Sequence, residues 1–104
     1  SSAIVTEKNP QLSVNGTSPR YTRSVNHNAS TNISIDQNIQ PGQITITEDW
    51  QGKVCRCVCF SEIDAELANL SPGAYQVDVI QKGDPDALET QKEITLLTSQ
   101  IEVK

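Results

Sequence analysis

Residues 54–60 read Val-Cys-Arg-Cys-Val-Cys-Phe and contain all three cysteines of the chain at alternate positions. In an extended strand, alternate side chains point to the same face of the sheet. The sulfurs of Cys55, Cys57 and Cys59 would therefore share one face, and the residues between them would share the other. Because a cysteine outside a disulfide behaves as a small buried hydrophobe, the stretch predicts a central strand whose sulfurs face the interior.

Two other interpretations of the cysteines stay open. Neighbours on one strand face lie about 6.6–6.8 Å apart at Cα, the upper limit for a disulfide, so a bridge would need a partner chain. Three thiolates also suit a soft metal ion, which makes Cys55, Cys57 and Cys59 the metal candidates. A regular strand separates the outer two by about 13 Å, whereas one metal ion needs every sulfur within about 2.3 Å. That spacing favours the core over the metal site.

Alternation of apolar and polar residues recurs along the chain, with mostly β-branched apolar positions. Such alternation is typical of strands buried on one face. Several of them at spacings of about ten residues predict an all-β fold, an antiparallel sandwich or barrel. The predicted strands centre on Leu12, Ile33, Ile44, Val58, Leu67, Val77 and Ile94–Val103. The predicted inward-facing residues include Ile44, Ile46, Tyr75, Val77, Val79, Ile94 and Leu96.

A length of 104 residues predicts one β-sandwich domain spanning 1–104. Residues 15–40 are rich in Asn, Ser and Thr and are weakly patterned, so we expect a partly irregular connection or edge strands there. Residues 61–70 fit a strand and also a helical stripe, and the all-β context favours a strand. The predicted turns are at Asn15-Gly16, Pro41-Gly42, Gln51-Gly52, Pro72-Gly73 and Gly83-Asp84-Pro85.

The net charge of −5 argues against nucleic-acid partners, which require clustered Lys and Arg. No apolar run approaches the roughly 20 residues of a membrane span. The chain contains no Met and opens on Ser1-Ser2-Ala3, so we expect that a leader was removed and that the protein is extracytoplasmic: secreted, periplasmic or lipid-anchored to the cell envelope. The alternative is a domain excised from a longer cytosolic protein.

Residues 70–79, Leu-Ser-Pro-Gly-Ala-Tyr-Gln-Val-Asp-Val, resemble the loop and strand of immunoglobulin-like and fibronectin III-like sandwiches. In those folds a Pro-Gly turn precedes a tyrosine whose hydroxyl bonds back to upstream backbone. The resemblance gives Pro72, Gly73 and Tyr75 this structural role. Together with the cysteine stretch, residues 54–79 are similar to small exported lipoprotein domains of Gram-negative gut anaerobes that have no assigned activity. The resemblance implies an antiparallel immunoglobulin-like β-sandwich of about seven strands that is secreted or envelope-anchored, and it carries no catalytic residue.

The remaining polar residues predict no catalytic residue and no cofactor. His27 lies in a polar stretch without a nucleophile motif, which indicates a surface residue. Trp50 either covers one end of the core or contacts a partner, and the first is favoured. The sequence thus predicts a non-catalytic extracytoplasmic binding or structural module for a protein or glycan partner. The alternative is a soft-metal-handling envelope protein that uses the Cys-x-Cys-x-Cys strand.

Overall fold

A computed structural model describes residues 8–15, 18–85 and 92–104, with the side chains of 8, 15, 28–31 and 54–58 left aside. The described residues form strands and connecting loops without a helix, so residues 61–66 are strand, as the sequence favoured. The strands are β1 (Lys8–Asn15), β2 (Ser18–Gln40), β3 (Gln43–Glu66), β4 (Gly73–Lys82) and β5 (Glu93–Val103).

The five strands form two packed layers because β2 and β3 are long enough to run through both. One layer contains β1, the first half of β2 and the second half of β3. The other contains the second half of β2, the first half of β3, β4 and β5. Counted by layer, this gives seven β segments in an all-β sandwich, which confirms the predicted fold class and is compatible with an immunoglobulin-like domain.

Two predictions about the strands need correction. The ladder between β3 and β4 is parallel, while the other ladders are antiparallel. Residues 18–40 are a single continuous strand whose second half lies at a sheet edge, so of the two expectations for this region the edge strand is confirmed and the irregular connection is wrong. Asn, Ser and Thr suggested loops because they bond to their own backbone. Here Asn32, Ser34 and Asn38 occupy the exposed face of β2, where a strand tolerates polar side chains. Gln51-Gly52, a predicted turn, likewise lies inside β3.

The core lies between the two layers and consists of aliphatic residues with two tyrosines. Five of the seven predicted inward residues are buried: Ile44, Ile46, Tyr75, Val77 and Val79. Ile94 is exposed and Leu96 is half-buried, so the prediction is wrong for Ile94. Ile94 pairs with the buried Gln81 and so lies on the core side of β5, but it is the second residue of the strand and is not covered there. The ladder skips Leu96, which breaks the alternation along β5.

The cysteine stretch lies within β3, as predicted, but at an irregular point of its ladder with β2. Between the pairs His27–Cys59 and Ala29–Val54, β2 advances two residues while β3 advances five. β3 therefore contains three more residues than β2 between these two pairs. Because three is an odd number, the side chains that point to the core change from the even-numbered to the odd-numbered residues of β3. Even-numbered residues from Ile44 to Trp50 are buried before this point, and odd-numbered ones from Ile63 to Leu67 after it.

Candidate functional site

A buried carboxylate, Glu48, lies on the inward face of β3 between the two layers and is fully inaccessible to solvent. The Tyr21 hydroxyl donates to its Oε2 at 2.6 Å from the opposite layer. Arg23 Nη1 and the Trp50 indole N–H donate to its Oε1, at 2.7 and 3.1 Å. Glu48 therefore connects β2 of one layer to β3 of the other.

The electrostatics of this cluster are balanced internally. Arg23 forms the salt bridge with Glu48 and also donates to the Gln81 side-chain oxygen at 2.9 Å. Burial, and secondarily the Glu48 carboxylate, raise the pKa of Tyr21 well above its ordinary value of 10.0, so its hydroxyl remains a donor at neutral pH. Every buried side-chain nitrogen and oxygen among the described residues has a hydrogen-bond partner. The cluster is built to hold two layers together.

Trp50 is part of this cluster and is 3% exposed. The His27 ring lies against it with centroids 5.1 Å apart, and the Arg23 guanidinium carbon lies 5.9 Å from its ring centre. His27 Nε2 also lies 3.0 Å from the Ser61 hydroxyl. The burial of Trp50 favours its core-covering role over a contact with a partner. The contacts of His27 with Trp50 and Ser61 place this half-buried histidine at the interface between the layers rather than on the surface.

A cleft of about 370 Å³ opens beside the cluster, at the end of the sandwich where β4 ends and β5 begins. Its walls combine the polar side chains of the cluster with two aliphatic residues of β5, Ile94 and Leu96. Ile94 is exposed because this end of the core is not covered by other described residues. Arg23, Trp50 and Gln81, which line the cleft, already form hydrogen bonds within the Glu48 cluster, so their polar groups are engaged before any ligand binds.

Of the three cysteines, only Cys59 has a described side chain. It is half-buried and not in a disulfide with any described residue, and Phe60 beside it is exposed. No group of three His, Cys, Asp or Glu among the described side chains could hold a metal ion. The expectations for the sulfurs of Cys55 and Cys57, as core residues or as metal ligands, lie outside the described residues.

Pro72, Gly73 and Tyr75, to which the resemblance gives a structural role, lie together at the start of β4, at the end of the sandwich away from the cleft. The Tyr75 hydroxyl donates to the Ser71 carbonyl at 2.6 Å, back across the turn that contains Pro72 and Gly73. Tyr75 itself is buried in the core. The bond fixes the loop between β3 and β4 onto the first residues of β4, which is a structural role.

One strand edge offers a different kind of site. Residues Asn32–Gln40 of β2 pair with β3 on one side, and no described strand pairs with them on the other. β1 covers that other side only near the start of β2, up to Ser24. We call this open side of Asn32–Gln40 the β2 edge. A row of unpaired N–H and C=O groups of this kind is a template for another strand.

The ladder geometry shows which residues present their backbone to the β2 edge. Gln40 and Gln43 flank the two-residue turn at Pro41-Gly42, so they form a hydrogen-bonded pair. Hydrogen-bonded pairs alternate with non-hydrogen-bonded ones along the ladder. The backbone N–H and C=O groups of the even-numbered residues of this segment therefore point towards β3. If the odd-numbered residues of β3 bond to β2, the backbone groups of its even-numbered residues point towards β4. The hydrogen bond from the Gln76 amide of β4 to the carbonyl of Gly42, just before β3, agrees with this at 3.0 Å. The residues whose backbone groups face outward are Ile33, Ile35, Gln37 and Ile39.

The β2 edge also lacks the features that usually prevent strands from pairing, which are charges, prolines and bulges. Residues 31–40 contain one charged residue, Asp36, and no Lys, Pro or Gly. The other outer strand segments are better guarded. Their charges and proline are Lys8 and Pro10 in β1, Glu62, Asp64 and Glu66 in β3, and Glu93 and Glu102 in β5.

Sequence reasoning did not predict that Glu48 is buried or that it forms a cluster with Tyr21, Arg23 and Gln81. A signal for Glu48 was present, because it continues the even-numbered inward series of Ile44 and Ile46. An acid at an inward position requires buried donors. No local pattern identified the Tyr21 and Arg23 donors, since they come from the opposite layer.

Comparison of the chain with protein-family models, with curated proteins and with solved structures yielded no match. Over the described ranges, the fold contains no helix of the length and apolar content needed to cross a membrane. The described residues thus define the protein as a two-layer all-β sandwich. Its buried polar cluster is fully hydrogen-bonded, and the β2 edge is its one weakly protected strand edge.

Proposed function

We propose that the protein is a non-catalytic extracytoplasmic binding or structural module, immunoglobulin-like in type, that takes up an extended protein segment along the β2 edge. The observation that carries the proposal is the run of outward backbone groups at Ile33, Ile35, Gln37 and Ile39, in a segment with a single charge and no proline. In strand addition of this kind, main-chain hydrogen bonds provide affinity and alternate side chains provide specificity.

The buried Glu48 cluster supports the same proposal, because its residues have a structural role. Glu48, Arg23 and Tyr21 are occupied in connecting the layers, which makes the sandwich a rigid support for the edge. The extracytoplasmic location rests on the resemblance of residues 54–79 to exported sandwich domains.

The experiment selects peptides of about twelve residues from a displayed library on the immobilised protein and measures their affinity for two variants. Gln37→Pro removes an outward N–H without removing a bond to β3. Gln37→Ala is the matched control, because both variants lose the same side-chain bond to the Glu66 carbonyl. We expect peptides with alternating apolar residues whose affinity falls at least about tenfold with Gln37→Pro and changes less than about threefold with Gln37→Ala.

Equal binding to the two Gln37 variants would place the peptide elsewhere and overturn the proposal. Failure to enrich any peptide would overturn it as well. Urea unfolding of both variants, monitored by circular dichroism, verifies that each is folded before its binding is compared.

A further inference from the structure

We propose that the segment bound at the β2 edge is the same edge of a second copy of this chain, running antiparallel, with Ser34 on the two-fold axis. The inference rests on the proposed function, since it names the partner of that edge. The result would be one continuous sheet in which the β5-β4-β3-β2 layer of each copy joins at β2.

The backbone of the β2 edge is compatible with pairing to itself. A two-fold axis at Ser34 places Ile33 opposite Ile35 of the second copy, and odd-numbered residues opposite odd-numbered ones throughout. Because the outward N–H and C=O groups belong to the odd-numbered residues, each of these pairs can exchange both hydrogen bonds. A closed two-fold contact of this kind also uses up both edges, so it ends at a dimer.

The side chains of this register match on both faces. Ile33 and Ile35 are half-buried on the core side, where they pack against the hydrophobic core. Opposite each other across the axis, they form two β-branched pairs that extend this apolar surface. On the outer face, Asn32 lies opposite Asp36 of the second copy. An amide opposite a carboxylate gives the acid a hydrogen-bond donor.

Charge selects this register over the one centred on Asp36. That alternative places the two Asp36 carboxylates directly opposite each other, and like charges in that position are destabilising. With the axis at Ser34, the two acids are separated by four residues along the strand, about 14 Å. This exceeds the Debye length of about 8 Å at physiological ionic strength, so their repulsion is screened.

The test measures the monomer–dimer equilibrium of the purified chain by sedimentation equilibrium, with a reductant present so that cysteine bridges do not contribute. Ser34→Asp adds two carboxylates facing each other across the axis, with Cα atoms about 4.5 Å apart because even-numbered residues form the non-hydrogen-bonded pairs. Asn38→Asp is the matched control. It makes the same charge change on the same exposed face, but its two copies lie about 27 Å apart along the strand.

We expect a concentration-dependent dimer for the wild type, a dissociation constant at least about tenfold higher for Ser34→Asp, and a change below about threefold for Asn38→Asp. Both substitutions are at exposed positions, so each variant remains folded, which circular dichroism verifies. A wild type that is monomeric up to about 1 mM would overturn the inference. Equal weakening by the two variants would overturn it too.

The peptide selection distinguishes the failure of this inference from that of the proposed function. A monomeric wild type that still binds selected peptides in a manner sensitive to Gln37→Pro overturns only the second copy as partner. Amide exchange gives a further result: slow exchange at Ile33 and Ile35 in a monomer would mean that the chain fills its own edge, and both proposals would fall.

Discussion

Glu48 illustrates how one buried side chain can decide the stability of this sandwich. Its carboxylate accepts hydrogen bonds from Tyr21, Arg23 and Trp50 and is inaccessible to solvent. A charge in such a place is tolerated only because every neighbour is a donor, and removing one member of a buried ion pair leaves the other charge uncompensated. Arg23 and Glu48 are therefore interdependent.

Glu48→Gln should lower the free energy of unfolding by about 3–5 kcal/mol, because it leaves the Arg23 guanidinium without its counterion. The chain provides a control in Arg20 and Asp64, an ion pair of nearly the same length, 2.6 Å, whose side chains are more than half exposed. Asp64→Asn should cost less than about 1 kcal/mol. Urea denaturation of both variants measures the two losses, and losses of equal size would contradict the role given to burial.

At the scale of the strands, the sequence predicted the strand at 54–60 but not the change of face that occurs there. Period-two alternation is a local signal, and it identified Ile44, Ile46, Val77 and Val79 as inward residues. An odd excess of residues in β3 depends on its pairing with β2, which local periodicity cannot report. The same holds for β5, where the ladder with β4 skips Leu96 and so pairs Ile94 with the buried Gln81. The polar composition of residues 15–40 was compatible with an irregular connection and with edge strands, so it did not by itself identify the β2 edge.

The odd excess in β3 can be tested by deletions between Val54 and Cys59. Deleting Arg56 alone makes the excess even, so one half of β3 must turn its apolar residues outward. Exposing residues such as Ile63 and Leu67 costs about 1.5–3 kcal/mol each, comparable with the stability of a small domain.

Deleting Arg56 together with Cys57 keeps the excess odd and should leave a folded protein. We expect cooperative thermal unfolding by circular dichroism for the two-residue deletion and its loss for the one-residue deletion. Two deletions with the same effect would show that the face of β3 is not set by this count.

At the scale of the whole molecule, β2 and β3 belong to both layers, so neither layer can unfold while the other stays intact. The Glu48 cluster joins the layers a second time, through side chains. We therefore expect a single two-state transition.

Trp50, the only tryptophan, reports the layer interface by fluorescence, and far-UV circular dichroism reports the sheet as a whole. The Ser34→Asp variant is the suitable material, because self-association should not contribute to its unfolding. In urea the two signals should have the same midpoint, and the amides of Ala65 in one layer and Val79 in the other should exchange with the same free energy of opening. A lower value for Val79 would mean that the layer of β4 and β5 opens alone, and that the long strands do not couple the layers.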